Sequence, residues 1–150
     1  MGETQHTLFR LDFNRAIHIE DRPERLTGDA GVFALRQIDQ RLGLTEWLAT
    51  RLRDPRNQDL ITHPQVELLR TRIYLIAQGQ RDADDADRLG LDPAFRLAVS
   101  QRRGIAPLLA FDADQPDGDP HALASQPTLS RLLATLAGTH NRGVLRGSLL

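Results

Sequence analysis

The chain has 150 residues, 40% of them hydrophobic, with no cysteine and a formal net charge of −1. That length suffices for one ordinary domain with a core, and the absence of cysteine excludes disulfide frameworks and thiolate metal sites. No apolar run is long enough to be a transmembrane helix, and the start MGETQHTLFRLDF lacks the basic and apolar regions of a signal peptide, so a cytoplasmic location is expected.

All 19 basic residues are Arg. Arg is the better bidentate partner for phosphate, although a GC-rich coding sequence produces the same bias. Charge is segmented: residues 1–81 hold 12 Arg against 11 acids, 82–119 hold 4 against 9, and 120–150 hold 3 against none. The polarity therefore passes from neutral to acidic to basic along the chain.

From Leu8 to Glu20 the apolar residues Phe9, Leu11, Phe13, Ile17 and Ile19 share one parity, which predicts a short β element. From Ala30 to Leu42 the period becomes helical, with Gly31, Leu35, Ile38 and Leu42 in one stripe and Gly43 placed to end the helix. Thr45 is placed to cap a short helix carrying Trp47, Leu48 and Leu52, which stops at the turn sequence Asp54-Pro55-Arg56-Asn57.

The longest helix is expected from Pro64 to about Gln78. Val66, Leu69, Ile73, Ile76 and Ala77 form its apolar stripe, Leu68 and Leu75 widen it so that contacts on more than one side are expected, and Glu67, Arg70, Thr71 and Gln78 line the opposite face. Gly79 ends it. Asp82 is expected to cap a short helix through Leu89, and Asp92-Pro93 opens another through Val99. Residues 101–120 mix Gly, Pro and Asp and read as a loop. A last helix starts at Ser125 or Thr128, with Leu129, Leu132, Leu133 and Leu136 as its apolar face to about Gly138. The residues after Asn141 carry no capping signal and suggest an interrupted element.

The acids Asp82, Asp84, Asp85 and Asp87 invite a Mg²⁺ reading, because hard cations take oxygen ligands. Only Asp84 and Asp87 share a helical face, so they are the candidate metal pair. The plainer account has Asp82 as a cap and the other acids favoured by the helix dipole. Arg70, on the polar face, is a candidate phosphate contact. Arg72 lies nearer the apolar side and is either a DNA contact or the partner of one of Asp82–Asp87. Arg131, presented early on the last helix, is a third candidate DNA contact. Five histidines show no zinc spacing, and no Ser lies in a nucleophile elbow.

Several motifs occur in a known order. Thr27-Gly28-Asp29-Ala30-Gly31 precedes Leu35-Arg36-Gln37-Ile38-Asp39-Gln40-Arg41-Leu42-Gly43-Leu44. Asp54-Pro55-Arg56 and His63 lead into the Glu67–Arg72 helix. Gly79, Asp82–Leu89 and Asp92-Pro93-Ala94-Phe95 come next, and Leu123–Leu132 closes the series. Over about residues 8–146 this resembles the early part of the group 1 DDE transposases of bacterial insertion sequences. Gln80, Gly90, Leu133 and Ala134 depart from the family pattern, which has an aromatic residue, an Arg and a Glu-Asn pair there.

The resemblance implies DNA transposition, with two Mg²⁺ held by Asp-Asp-Glu acids of a ribonuclease-H-like domain that belongs mainly beyond residue 150. The expected fold is mainly α with a short N-terminal β element. It comprises a β-containing segment over 1–28, a helical domain over 29–100, a linker over 101–122, and the start of a further helical element over 123–150. The expected role is binding of transposon-end DNA, or pairing with a second protomer or a full-length transposase, without catalysis by this part alone. No cofactor is expected within these residues. Two alternatives stand beside this: a non-enzymatic helical interaction module, and a Mg²⁺-dependent hydrolase using Asp82–Asp87.

Overall fold

A computed structural model describes residues 9–15, 17–19, 31–80, 82, 85–90, 92–100 and 122–147. The expected linker over 101–120 and the candidate metal residue Asp84 lie outside the described residues.

The described part is mainly helical. The alternation between residues 8 and 20 does not give a β element of ordinary strand length. Only β1 (Phe9–Arg10) and β2 (His18–Ile19) pair, antiparallel, with Phe9 opposite Ile19 and Arg10 opposite His18. The alternating residues that follow are used otherwise. Leu11 and Phe13 are buried, and Asp12 is clamped to Gln37: its N–H donates to Gln37 Oε1 at 2.8 Å, and Gln37 Nε2 donates to Asp12 Oδ2 at 2.6 Å. This segment is fixed to a helix rather than to another strand.

That helix is α1 (Gly31–Leu42), followed at once by α2 (Leu44–Arg51). Gly43 makes the junction at φ +64°, in the left-handed region that costs a side chain about 1 kcal/mol or more. Helix α3 (Gln65–Ala77) matches the expected long helix within a residue at each end. It closes as a Schellman turn: Gly79 N–H donates to Ile76 O at 3.0 Å, Gln80 N–H donates to Leu75 O at 2.9 Å, and Gly79 sits at φ +86°.

Helix α4 (Asp85–Leu89) starts three residues after Asp82, so Asp82 is not its cap. Helix α5 (Pro93–Val99) is capped as expected, with Asp92 Oδ1 accepting from Phe95 N–H at 2.8 Å. Helix α6 (Gln126–Leu136) is followed by α7 (Thr139–Gly147), which no sequence signal announced. The main core gathers Val32, Leu75, Phe95, Val99, Leu129 and their neighbours. A smaller cluster of Leu48, Leu52 and Leu69 lies between α2 and α3, packed against Val144 and Leu145 of α7.

Two faces depart from the apolar pattern: α1 turns polar residues inward, and α3 buries polar residues together with Leu68, Leu69 and Leu75. On α1 the stripe residues Ile38 and Leu42 are 55% and 72% exposed, while Val32, Arg36, Gln37 and Asp39 are buried. On α3 the supposed polar face is inside: Glu67, Arg70 and Thr71 are all buried, and Ile76 is exposed. The reason is that these polar groups find one another, which hydrophobic periodicity does not register.

Candidate nucleic-acid interface

The buried polar groups centre on Asp39. Its Oδ1 accepts from Thr45 N–H at 2.9 Å. Its Oδ2 accepts from the Thr45 hydroxyl at 2.6 Å, the Tyr74 hydroxyl at 2.8 Å and Arg70 Nε at 3.3 Å. Arg36 Nη1 lies 3.6 Å from the same oxygen, and its guanidinium sits over the Phe13 ring at 5.0 Å. Burial opposes ionisation of Asp39, but the hydrogen bonds from Thr45 and Tyr74 and the Arg70 charge outweigh it, holding the carboxyl below its ordinary range. Burial and the neighbouring Asp39 carboxylate push the Tyr74 phenol upward.

This network corrects two expectations. Thr45 does not cap α2, since Gly43 occupies the cap position and makes no side-chain bond. Asp39 satisfies the Thr45 N–H from the preceding helix instead. Arg70 is not a solvated or phosphate-facing cation: it is buried, tied to Asp39, to the Thr45 hydroxyl at 3.1 Å and to Glu46 Oε1 at 2.9 Å. Its work is to join α1, α2 and α3.

A second buried pair secures α5 against α3. The Ser100 hydroxyl donates to Glu67 Oε1 at 2.6 Å. Of the remaining candidates, Arg72 is half-buried on α3 and Arg131 is exposed on α6. Asp87 is exposed, and its Oδ1 accepts from Gln126 N–H at 2.8 Å. It satisfies the first backbone donor of α6 from across the fold, as Asp39 satisfies the second of α2.

The described residues do not fit the two Mg²⁺ that the family implies. Among them no three His, Asp or Glu side chains converge as a metal needs. Asp39 and Glu67 are held by buried partners, and Asp87 faces a backbone donor.

What the sequence reading missed is the positive surface of the last two helices. Arg131, Arg142 and Arg146 are exposed there, and residues 122–147 contain no acid. Helix α7 is locked beside the end of α2 by Asn141, which is 4% exposed. Its Oδ1 accepts from Arg53 N–H at 2.8 Å, and its Nδ2 donates to Arg53 O at 3.1 Å and Thr135 O at 3.0 Å. The lock brings exposed Arg53 to the same corner. The signal available beforehand was the charge count after residue 120. Leu133 and Ala134 are both exposed on this surface.

A family profile described as the transposase DDE domain, group 1, matches residues 9–146. The chain belongs to that family. No characterised protein and no solved structure matches it significantly. No helix among the described residues is long and apolar enough to cross a membrane.

Proposed function

We propose that this chain binds transposon-end DNA through α6, α7 and the end of α2, and carries no strand-transfer chemistry of its own. The supporting observation is the acid-free stretch 122–147, which exposes Arg131, Arg142 and Arg146 and is pinned beside Arg53 by the buried Asn141. Exposed guanidiniums on rigid helices suit phosphate contacts, which position a protein on a duplex without reading sequence.

The test is fluorescence anisotropy of the protein with labelled inverted-repeat duplex across a salt series. Four phosphate contacts predict a slope of log affinity against log salt of roughly −3 to −4. Arg142→Ala and Arg146→Ala should each lower the slope by about 1. Affinity independent of salt would remove the proposal.

Protomer pairing is a second reading, favoured by the apolar side chains of Ile38, Leu42 and Leu44, which are 55%, 72% and 44% exposed around the α1–α2 junction. It predicts self-association that Leu42→Glu abolishes; a monomer at high concentration by light scattering would count against it.

A further inference from the structure

By its own residues α7 is a weak helix. It has nine residues, below the roughly 12–15 at which an isolated helix becomes marginally stable in water. Gly143 lies in its interior, and glycine is the weakest helix former after proline. The φ of Gly143 is not positive, and a Cβ there would meet no atom within 4 Å, so neither backbone conformation nor packing calls for glycine. Arg142 lies in the first turn, where the positive end of the helix dipole opposes a cation. Arg146 stands four residues on, on the same face, and two like charges so placed repel. Residues 122–147 contain no acid to offset them.

What holds α7 is its dock. Asn141 bonds both polar groups of the Arg53 backbone and the Thr135 carbonyl at 2.8 to 3.1 Å. One buried side chain therefore ties α7 to the ends of α2 and α6. Val144 and Leu145, both only partly buried, add contact with Leu48, Leu52 and Leu69. An element with poor propensity and few apolar contacts opens locally, well below the free energy of global unfolding.

We propose that the order of α7 and the binding of DNA are linked, with Asn141 as the positioning residue. Duplex phosphates against Arg142 and Arg146 remove the repulsion between the two cations and the conflict of Arg142 with the dipole. The helix is therefore more stable on DNA than off it. By linkage, the docked helix binds DNA more tightly than the opened one. Opening carries both cations away from Arg53 and Arg131, which stay with the rest of the fold. This inference rests on the DNA-end reading above and adds how that surface is regulated.

Amide hydrogen exchange of the full chain, alone and with inverted-repeat duplex, reads the linkage. Alone, the α7 amides should exchange roughly 10-fold or more faster than those of α3, and the duplex should slow α7 selectively. Asn141→Ala, with the urea transition of the core retained, should lower the salt slope by about 2, because two phosphate contacts go together. A packing role alone would leave that slope unmoved. Gly143→Ala adds helix propensity where there is room. Without DNA it should slow α7 exchange about fivefold, and in the Asn141→Ala background it should raise the slope again. Its effect on exchange carries the test even where Asn141→Ala fails to fold. Salt-dependent binding with α7 exchanging as slowly as α3, unaffected by duplex or by Gly143→Ala, overturns the linkage and leaves the DNA-end reading standing. Absence of salt-dependent binding overturns both.

Discussion

Truncating Asp39 to Ala probes the joint that holds α1, α2 and α3 together. The carboxylate is 6% exposed and accepts four hydrogen bonds of 2.6 to 3.3 Å, two from Thr45 and one each from Tyr74 and Arg70. Removing it strands three neutral donors and leaves the Arg70 and Arg36 guanidiniums buried with less counter-charge. Arg70 keeps Glu46 at 2.9 Å, but that carboxylate is 62% exposed and neutralises it less effectively. Breaking one side of a buried ion pair costs about 3–5 kcal/mol, a large share of the roughly 5–15 kcal/mol that holds a domain folded. Urea denaturation followed by circular dichroism measures the loss directly, and the melting temperature should fall by roughly 6–20 °C. The pH dependence has a definite sign. Because the folded carboxyl titrates below its ordinary value, its contribution is present above about pH 4 and is lost as pH falls through the lowered folded value. Asp39→Ala should therefore flatten the acid side of the stability profile. A loss under about 1 kcal/mol, with that profile unchanged, would refute the view that Asp39 organises the network.

Tyr74 is the only tyrosine, so phenolate absorbance follows it alone. Its folded value is raised, so its stabilisation is complete below about pH 10 and fades above it. Phenolate should appear only together with alkaline unfolding, and titration near pH 10 in the still-folded protein would contradict the buried bond to Asp39. Asp87→Ala should cost about 0.5–2 kcal/mol by removing an acceptor at the start of α6, and calorimetric titration of wild type with Mg²⁺ should show no millimolar-range binding that this substitution abolishes. Gly79→Ala forces a side chain to φ +86° and should destabilise by about 1 kcal/mol or more in the same urea assay, whereas an unchanged midpoint would mean that α3 ends some other way.

Much of the helical layout was legible in the residues. Gly43 and Gly79 mark helix ends because only glycine enters the left-handed region without strain, and Asp92-Pro93 marks a start because the cap and the fixed proline φ act within one turn. Helix α7 was not legible: THNRGVLRG carries two glycines and little apolar character, and it is anchored by Asn141 bonding to residue 53, which is 88 positions away. The candidate site divided likewise. Arg131 stands exposed as the pattern suggested, Arg70 was misplaced, and Arg142 and Arg146 were passed over because the helix that carries them was not foreseen.

What the sequence determined by itself is what neighbouring residues decide among themselves: helix boundaries, local caps and a run of family motifs covering residues 9–146. Tertiary structure alone decided which faces turn inward. Arg70 and Tyr74 reach Asp39 from 31 and 35 residues away, and Asp87 reaches Gln126 from 39. A polar side chain reads as surface until its partner is known, because burial of a charge is tolerated only once the opposite charge and the donors around it are in place.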